Sequence, residues 1–385
     1  MRITTPRWTP SNGATRAVAL EVLIHGPLSR SEVARRLDLS SASLTRLANP
    51  LIAEGLLVEA GEQTDGRVGR PQQLLDVVPA SRRFIGMKLM ADEVQGVTTD
   101  LRANVLAQES RPLKARDPEA VVDAIADLAQ SLARGTPSIT MMGVGVGGLI
   151  EEQSIVRNAP FLSWNDVSLS KMVEASTRIP TIIDNDLVAL TEYEHWFGAG
   201  RGLDRFAVVT LGAGVGYGLV IHDEIVRNDE YGIGLIGHWP LDPFGPVCSE
   251  GHRGCAKAIL TDTAIAQSVS QALGKQVTFA AALDLAASGE PAARRIVDDA
   301  GRGLGRLLAA IANLTMPETV VIGGEGVRVA SVAAEAVDAG LRADRDPRTK
   351  RLPLTIRSGE NIEWCRGAAV VAIQTFVLGH RTHTL

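Results

Sequence analysis

The sequence predicts an α/β protein in two parts, an N-terminal winged helix-turn-helix followed by a two-lobed α/β domain. Three observations predict it. Three helical patterns lead into two short apolar strands around a Gly/Arg loop within the first 80 residues. From Arg83 onward strands alternate with helices. The alternation begins afresh near Arg205, where a strand runs into a glycine-rich turn. The expected domains are 1–80 for the helix-turn-helix, 81–195 for one α/β lobe and 196–385 for the other.

In the first part, ATRAVALEVLIHG places Val18, Ala19, Leu20, Val22, Leu23 and Ile24 on a helical stripe that Gly26 can end. SRSEVARRLDLSSASLTRLANPLIAEGLL holds two more helices around a tight Asp38-Leu39-Ser40 turn. Ser29 or Ser31 is the cap expected for the first and Ser40 or Ser41 for the second, since their hydroxyls can accept from unpaired first-turn amides. Pro50 is expected to bend or shorten the last helix. Leu56–Val58 and Leu74–Val78 read as paired strands, with Gly66, Gly69 and Pro71 in the loop between them. A second helix of this kind enters a major groove, so Ser41, Ser43, Thr45 and Arg46 become candidates for contact with double-stranded DNA. Arg67 and Arg70, on glycine-relieved backbone, suit phosphates or a narrow minor groove. The competing reading treats the hydroxyls as caps only.

The bulk numbers agree with a soluble chain of two or three domains. It has 385 residues, 45% hydrophobic and 22% charged, and no apolar run long enough for a membrane span. MRITTPRWTPSNG lacks the apolar stretch of a secretory signal, so a cytoplasmic protein with reduced thiols at Cys248, Cys255 and Cys365 is expected. The net charge of −5 excludes a protein coated in nucleic acid, but residues 1–80 carry nine Arg against eight acidic side chains, a local balance of +1.

In the second part, strands are expected at Ile85–Met90, Gln95–Asp100, Thr140–Val146, Phe206–Leu211 and Gly218–Ile221, and helices at Pro118–Ala133 and around Asp299–Leu314. VVTLGAGVGYGLVI sets Gly212, Gly214, Gly216 and Gly218 between two strands, where backbone amides can gather around a phosphate or another small polar ligand. Asn185 and Asp186 end a β-rich run, the strand end at which α/β clefts bind ligands. His238, Cys248, Glu250, His252 and Cys255 form a cluster with metal-like spacing but only two thiols.

Together these segments resemble the ROK family of bacterial repressors and sugar kinases, over nearly the whole chain. The GRP wing resembles the family's reader at residues 12–78, Arg157-Asn158-Ala159-Pro160 with Trp164 its sugar-contacting stretch, and Asn185-Asp186 the pair whose Asp is the base in kinases. Leu211–Leu219 matches the phosphate motif and Gly323-Gly324 the adenosine-side pair. The resemblance implies an actin-like, two-lobed sensor, a homodimer or dimer of dimers, and effector contacts from Asn158, Asn185, Asp186, His238 and Lys257.

Departures from the pattern bear on chemistry. Family kinases carry D-x-G-x-T in the first strand turn; here Lys88 stands at the Asp position and Met90 at the Gly position, so no ATP turnover is expected. Leu235 replaces the Glu of E-x-G-H, and Lys257 replaces the Glu that closes the zinc motif. Those losses disfavour a neutral hexose relative to a typical member and make an acidic or phosphorylated sugar one to test, with a lost effector site as the equal alternative. Glu250 replaces the middle Cys of the zinc motif, leaving His238, Cys248, Glu250 and Cys255 as a degenerate zinc set, with His252 in reserve if the loop rearranged. The functional expectation is a DNA-binding repressor with no enzymatic activity, its sensor tuned by a sugar or sugar derivative. The rivals are an ATP-dependent sugar kinase and a regulator whose sensor is only a dimerisation or protein-partner scaffold.

Overall fold

The computed structural model describes residues 13–63, 72–136, 138–227 and 235–379. By packing, the chain divides into two compact units: residues 1–202 with 364–385, and residues 203–363. The first holds both the helix-turn-helix and one α/β lobe.

The helix-turn-helix comprises α1 (Gly13–His25), β1 (Leu28–Ser29), α2 (Arg30–Arg36), α3 (Ser41–Ala53), β2 (Leu57–Gln63) and β3 (Gln72–Val77). Its small sheet has the order β1-β3-β2, with Leu57 opposite Val77 and Glu59 opposite Leu75. Val18, Val22, Leu23, Leu44, Leu51, Leu57 and Leu75 are buried, so the helical stripes and one face of the strands share an apolar interior. Ser29 caps α2 and Ser40 caps α3, each accepting from the amide three residues on. Of the two expected effects of Pro50, shortening does not occur, and α3 continues to Ala53. Proline at this point removes a single bond, the one to the Arg46 carbonyl, and both residues face solvent, where water can serve that carbonyl.

The first lobe contains β4 (Phe84–Leu89), β5 (Glu93–Thr99), β6 (Val105–Pro112), α4 (Pro118–Leu132), β7 (Met141–Val146), β8 (Leu149–Glu151), β9 (Ile155–Ala159), β10 (Trp164–Val167), α5 (Leu169–Thr177), β11 (Thr181–Asn185) and α6 (Asp186–Trp196). The second unit contains β12 (Arg205–Leu211), β13 (Val215–Ile221), β14 (Glu224–Ile225), α7 (Ala256–Leu260), α8 (Asp262–Leu273), α9 (Phe279–Ala287), α10 (Pro291–Thr315), β15 (Thr319–Gly323), α11 (Arg328–Val332), α12 (Ala334–Ala343) and β16 (Leu354–Ile356). A last helix, α13 (Ile362–Leu378), follows.

The two main sheets repeat one plan. Their orders are β11-β7-β4-β5-β6 and β14-β13-β12-β15-β16, so within each lobe the first strand is central, its second neighbour antiparallel and its fourth parallel. That repetition is the actin-like duplication. In each lobe three strands run parallel, β4, β7 and β11 in the first and β12, β15 and β16 in the second.

The 196–385 segment does not fold as one body, because nearly all of α13 returns to the first unit. The reason is steric. A Cβ on Gly86 of β4 would collide with the Cys365 carbonyl, and one on Gly143 of β7 with the Ala368 carbonyl, so the sheet admits the helix backbone only where it lacks side chains. Phe84 meets Phe376 edge to face at 5.7 Å between ring centroids. We expect Gly143→Ala to cost about 1–3 kcal/mol in a urea titration through overpacking. An unchanged midpoint would show that α13 is not held this closely.

Candidate functional site

The exposed face of α3 is set by its buried one. Leu44, Leu47, Ala48 and Leu51 are buried, leaving Ser41, Ala42, Thr45, Arg46 and Asn49 in solvent. Arg46 has no ion-pair partner among the described residues, whereas Arg30, Arg35 and Arg36 on α2 are paired with Glu59, Glu32 and Glu21. Hydrogen bonds from Arg35 and Arg36 hold the Glu32 carboxyl down at about 2. Ser43 is half-buried and accepts a hydrogen bond of 2.9 Å from the Ser40 hydroxyl, which turns it toward the helix cap. Thr45 donates 2.9 Å to the Ser41 carbonyl, keeping its methyl outward. Asn49, one turn beyond Thr45 and on the same face, escaped the sequence reading; its spacing was the available signal. Arg67 and Arg70 lie outside the described residues.

In the first lobe, Lys88 near the end of β4 forms an ion pair with Asp186 at the start of α6. Gly145 of β7 lies in register between Lys88 and Asp184, and a Cβ there would rest against the Cα and Cβ of Asp186 at 3.4 and 3.5 Å. The ammonium lies 4.2 Å from the ring centroid of Trp364 on α13, a cation–π contact, and Lys88 is 7% exposed. Asp186 also accepts 2.8 Å from the Leu187 amide. Asn185 is the N-cap of α6, accepting from the Leu187 and Val188 amides while its amide group donates 2.8 Å to the Gly148 carbonyl. Asn158 on β9 is exposed and donates to Asn165 at 3.1 Å. The Lys88 ammonium thus occupies the carboxylate that the kinase pattern would offer as a base. The arrangement therefore presents polar groups to a ligand without a free general base.

In the second unit, the glycine turn after β12 is filled by its own chain. Gly212 donates to the Gly214 carbonyl at 3.1 Å, and Gly326 to Leu211 at 2.8 Å. A Cβ on Gly212 would lie 2.7 Å from Glu325 Oε2. Asp262, at the first position of α8, has a buried Oδ1 with no hydrogen-bond partner. Burial, with a smaller contribution from the Glu325 charge, pushes its carboxyl up to about 6. Two carboxylates beside these glycines repel a nucleotide's phosphates.

The cysteine loop lies in the same unit. His238 Nδ1 is 3.8 Å from Cys248 Sγ and 3.7 Å from Cys255 Sγ, and His252 Nδ1 is 3.6 Å from Cys248 Sγ. His238, Cys248 and His252 present their ligand atoms within 4.8 Å of one another. Glu250, expected among these ligands, pairs with Lys257 at 2.6 Å and accepts from Ser249 at 2.8 Å, with a weaker hydrogen bond to Cys248, and these hold its carboxyl down at about 2. Lys257, at the position of a family carboxylate, thus spends its charge on Glu250. Zinc ligated at about 2.3 Å by sulfur and 2.0–2.1 Å by nitrogen places tetrahedral N···S edges about 3.6 Å apart, close to the separations among His238, Cys248 and His252. The remaining thiol, Cys365, is buried, which pushes it up to about 12 and leaves it inert.

A winged helix-turn-helix on a duplicated kinase-type sheet, with Lys88 in place of the phosphate-organising carboxylate, defines a regulator class. Comparison with known proteins agrees. Residues 84–374 match the ROK family model and residues 13–68 a MarR family model. The chain belongs to the ROK family. It is 28% identical over 332 residues to the DNA-binding transcriptional dual regulator NagC of Escherichia coli K12, spanning 82% of this chain and 80% of that protein. It is 26% identical over 307 residues to the xylose repressor of Bacillus subtilis 168, spanning 78% and 79%. The crystal structure of a ROK family transcriptional regulator, homolog of the Escherichia coli Mlc protein, superposes with a TM-score of 0.78 at 23% identity, covering 95% of this chain and 97% of that one. A ROK glucokinase of Streptomyces griseus gives 0.66 at 22%, covering 76% of this chain and 99% of its own. The chain is built as a ROK transcriptional regulator and not as a ROK kinase. Among the described residues no helix is long and apolar enough to cross a membrane.

The raised Asp262 carboxyl has a measurable consequence. Its folded value of about 6 lies above the ordinary 3.8, so the folded state binds this proton more tightly and loses stability as pH climbs from about 4 to about 6. Asp262→Asn is expected to be more stable than wild type at pH 7.5, by on the order of 1 kcal/mol after solvent screening of the part-exposed carboxyl, with the difference vanishing below pH 4. Equal pH profiles for the two proteins would contradict the buried, charge-opposed setting.

Proposed function

We propose that this chain is a transcriptional repressor whose reader contacts operator DNA through α3 and the wing, and whose sensor binds a sugar or sugar derivative without phosphorylating it. The observation that carries the reading is the Lys88–Asp186 ion pair beneath Trp364, in a chain that also bears a reader. Phosphoryl transfer needs a base free to take the hydroxyl proton and a carboxylate-metal clamp for the phosphates. Asp186 is held by an ammonium, and the glycine turn carries Glu325 and Asp262. Asn158 and Asp186 serve an effector as hydrogen-bonding groups, with Asn185 shaping the start of α6. A homodimer then presents two readers to half-sites roughly 34 Å apart. An effector switches the protein by binding the DNA-competent and incompetent arrangements unequally.

On α3, Ser41, Thr45, Arg46 and Asn49 face the groove, while Ser43 organises the cap. Arg67 and Arg70 of the wing engage phosphates or the minor groove. Arg46→Ala is expected to lose about 1–3 kcal/mol on the operator and much less on a random duplex, measured by fluorescence anisotropy at fixed salt. Equal losses on both duplexes would remove Arg46 from base reading. No binding to any promoter fragment of its own genome, or brisk ATP consumption with glucose, would end the regulator reading itself.

Zinc is the ion the loop suits, and His238, Cys248, His252 and Cys255 are the residues that would hold it. Bound there, it would tie the loop together as a structural ion. Metal content and thermal unfolding separate the two possible fourth ligands: His252→Ala is expected to lose the metal and lower Tm, and Glu250→Ala to keep both. The opposite pattern would restore Glu250 as the ligand.

A further inference from the structure

The reader is clamped to the first lobe by two arginines from the lobe. The last turn of α1 leaves carbonyls without helical partners, and such carbonyls attract cations. Arg102, in the turn between β5 and β6, donates to the Leu23 carbonyl at 3.1 Å and the Val22 carbonyl at 2.9 Å. The same guanidinium pairs at 2.5 Å with Asp76 on β3, so one side chain grips both a helix and the wing sheet. Its side chain is 18% exposed and that of Asp76 19%, so the pair is largely shielded from salt. Arg201 adds a bond of 3.4 Å to the Ile24 carbonyl.

Both arginines are anchored to α6. Arg201 follows it in a bend fixed by Glu194, which is buried and accepts 2.8 Å from the Ala199 amide, while Gly200 donates 2.9 Å to the Glu194 carbonyl. Arg102 sits in a turn tied by Asp100, which accepts from the Arg102 and Asn104 amides at 2.9 and 3.0 Å. From α13, Arg366 donates 3.0 Å to the Ala103 carbonyl of that turn and lies 4.4 Å from the ring centroid of Tyr193 on α6. Two residues before Arg366, Trp364 covers the ammonium that holds Asp186, the first residue of α6.

We propose that α6 is the lever between the effector site and the DNA reader, with Asp186 at its sensing end and Arg201 and the Arg366-held Arg102 at its reading end. The proposal rests on the sensor reading of Asp186 given above. An 11-residue helix spans about 16 Å as a rigid rod, so a ligand that draws Asp186 away from Lys88 tilts or slides the rod. The same displacement reaches the carbonyls of α1 through the two clamps. Packed elements carry such shifts because they do not deform continuously.

Amide hydrogen exchange of the full chain, with neither DNA nor sugar added, tests the lever apart from the function. Arg102→Ala is expected to speed exchange at residues 20–26 and 74–78 by about tenfold, and Arg102→Lys, which can pair with Asp76 but not bridge to both carbonyls, by less. Lys88→Met, which frees Asp186 at the far end of α6, is expected to speed the same amides at least threefold in the wild-type background and not in the Arg102→Ala background. Asp186→Asn, nearly the same shape as wild type, repeats the test should Lys88→Met fail to fold. If either folded variant leaves the reader's exchange at the wild-type rate, or acts equally with and without Arg102, the lever is wrong. Operator binding by the wild-type protein would stand regardless, so the two failures are distinguishable.

Discussion

A buried ammonium against a half-buried carboxylate governs this molecule's chemistry. Lys88 cannot be left alone in a sheet interior, because an unpaired charge there costs several kcal/mol. Asp186 at the start of α6 supplies the counter-charge and the face of Trp364 supplies a weakly polar lid. The helix start in turn favours a carboxylate, since first-turn amides point at it. The three residues come from β4, α6 and α13, so the contact fastens the C-terminal helix to the lobe whose sheet it covers. In a kinase the same position must leave its carboxylate open to a substrate hydroxyl. Here the opening is closed from within, and what remains is a surface of hydrogen-bonding groups suited to recognition.

The second unit tells the same story with charge of the other sign. Glycines after β12 would normally gather amides for an anion, yet Gly212 and Gly326 spend theirs on neighbouring carbonyls. Glu325 and Asp262 add negative charge where phosphates would need positive. The backbone of a nucleotide site persists while its electrostatics are reversed. That is the pattern expected when a fold is kept while its catalytic chemistry is not.

The cysteine loop gathers the ligand atoms of His238, Cys248 and His252 within 4.8 Å of one another. Glu250 could have been drawn to the cluster in sequence terms, but Lys257 lies within reach and a lysine–carboxylate pair at the surface satisfies both charges. With Glu250 occupied, His252 stacks near His238 at 4.2 Å between ring centroids and turns its Nδ1 toward Cys248. Two substitutions, Lys257 and Glu250, thus answer each other.

Much was legible in the residues themselves. Helical stripes, Ser29 and Ser40 as caps, the wing strands and the alternation of the lobes follow from local periodicity and turn chemistry, which depend on neighbours in the chain. Lys88 at the position of a catalytic carboxylate was equally plain, because an amino acid's charge is independent of the fold. Contacts between distant segments were not legible: the ion pair of Lys88 with Asp186, the return of α13 to the first unit, the approach of His252 to Cys248, and the grip of Arg102 on α1. Each of these depends on which side chains the sheets bring within a few ångströms, and one sequence specifies that only through the packed whole. Local sequence determined the elements and their chemical vocabulary; tertiary packing decided which charges meet.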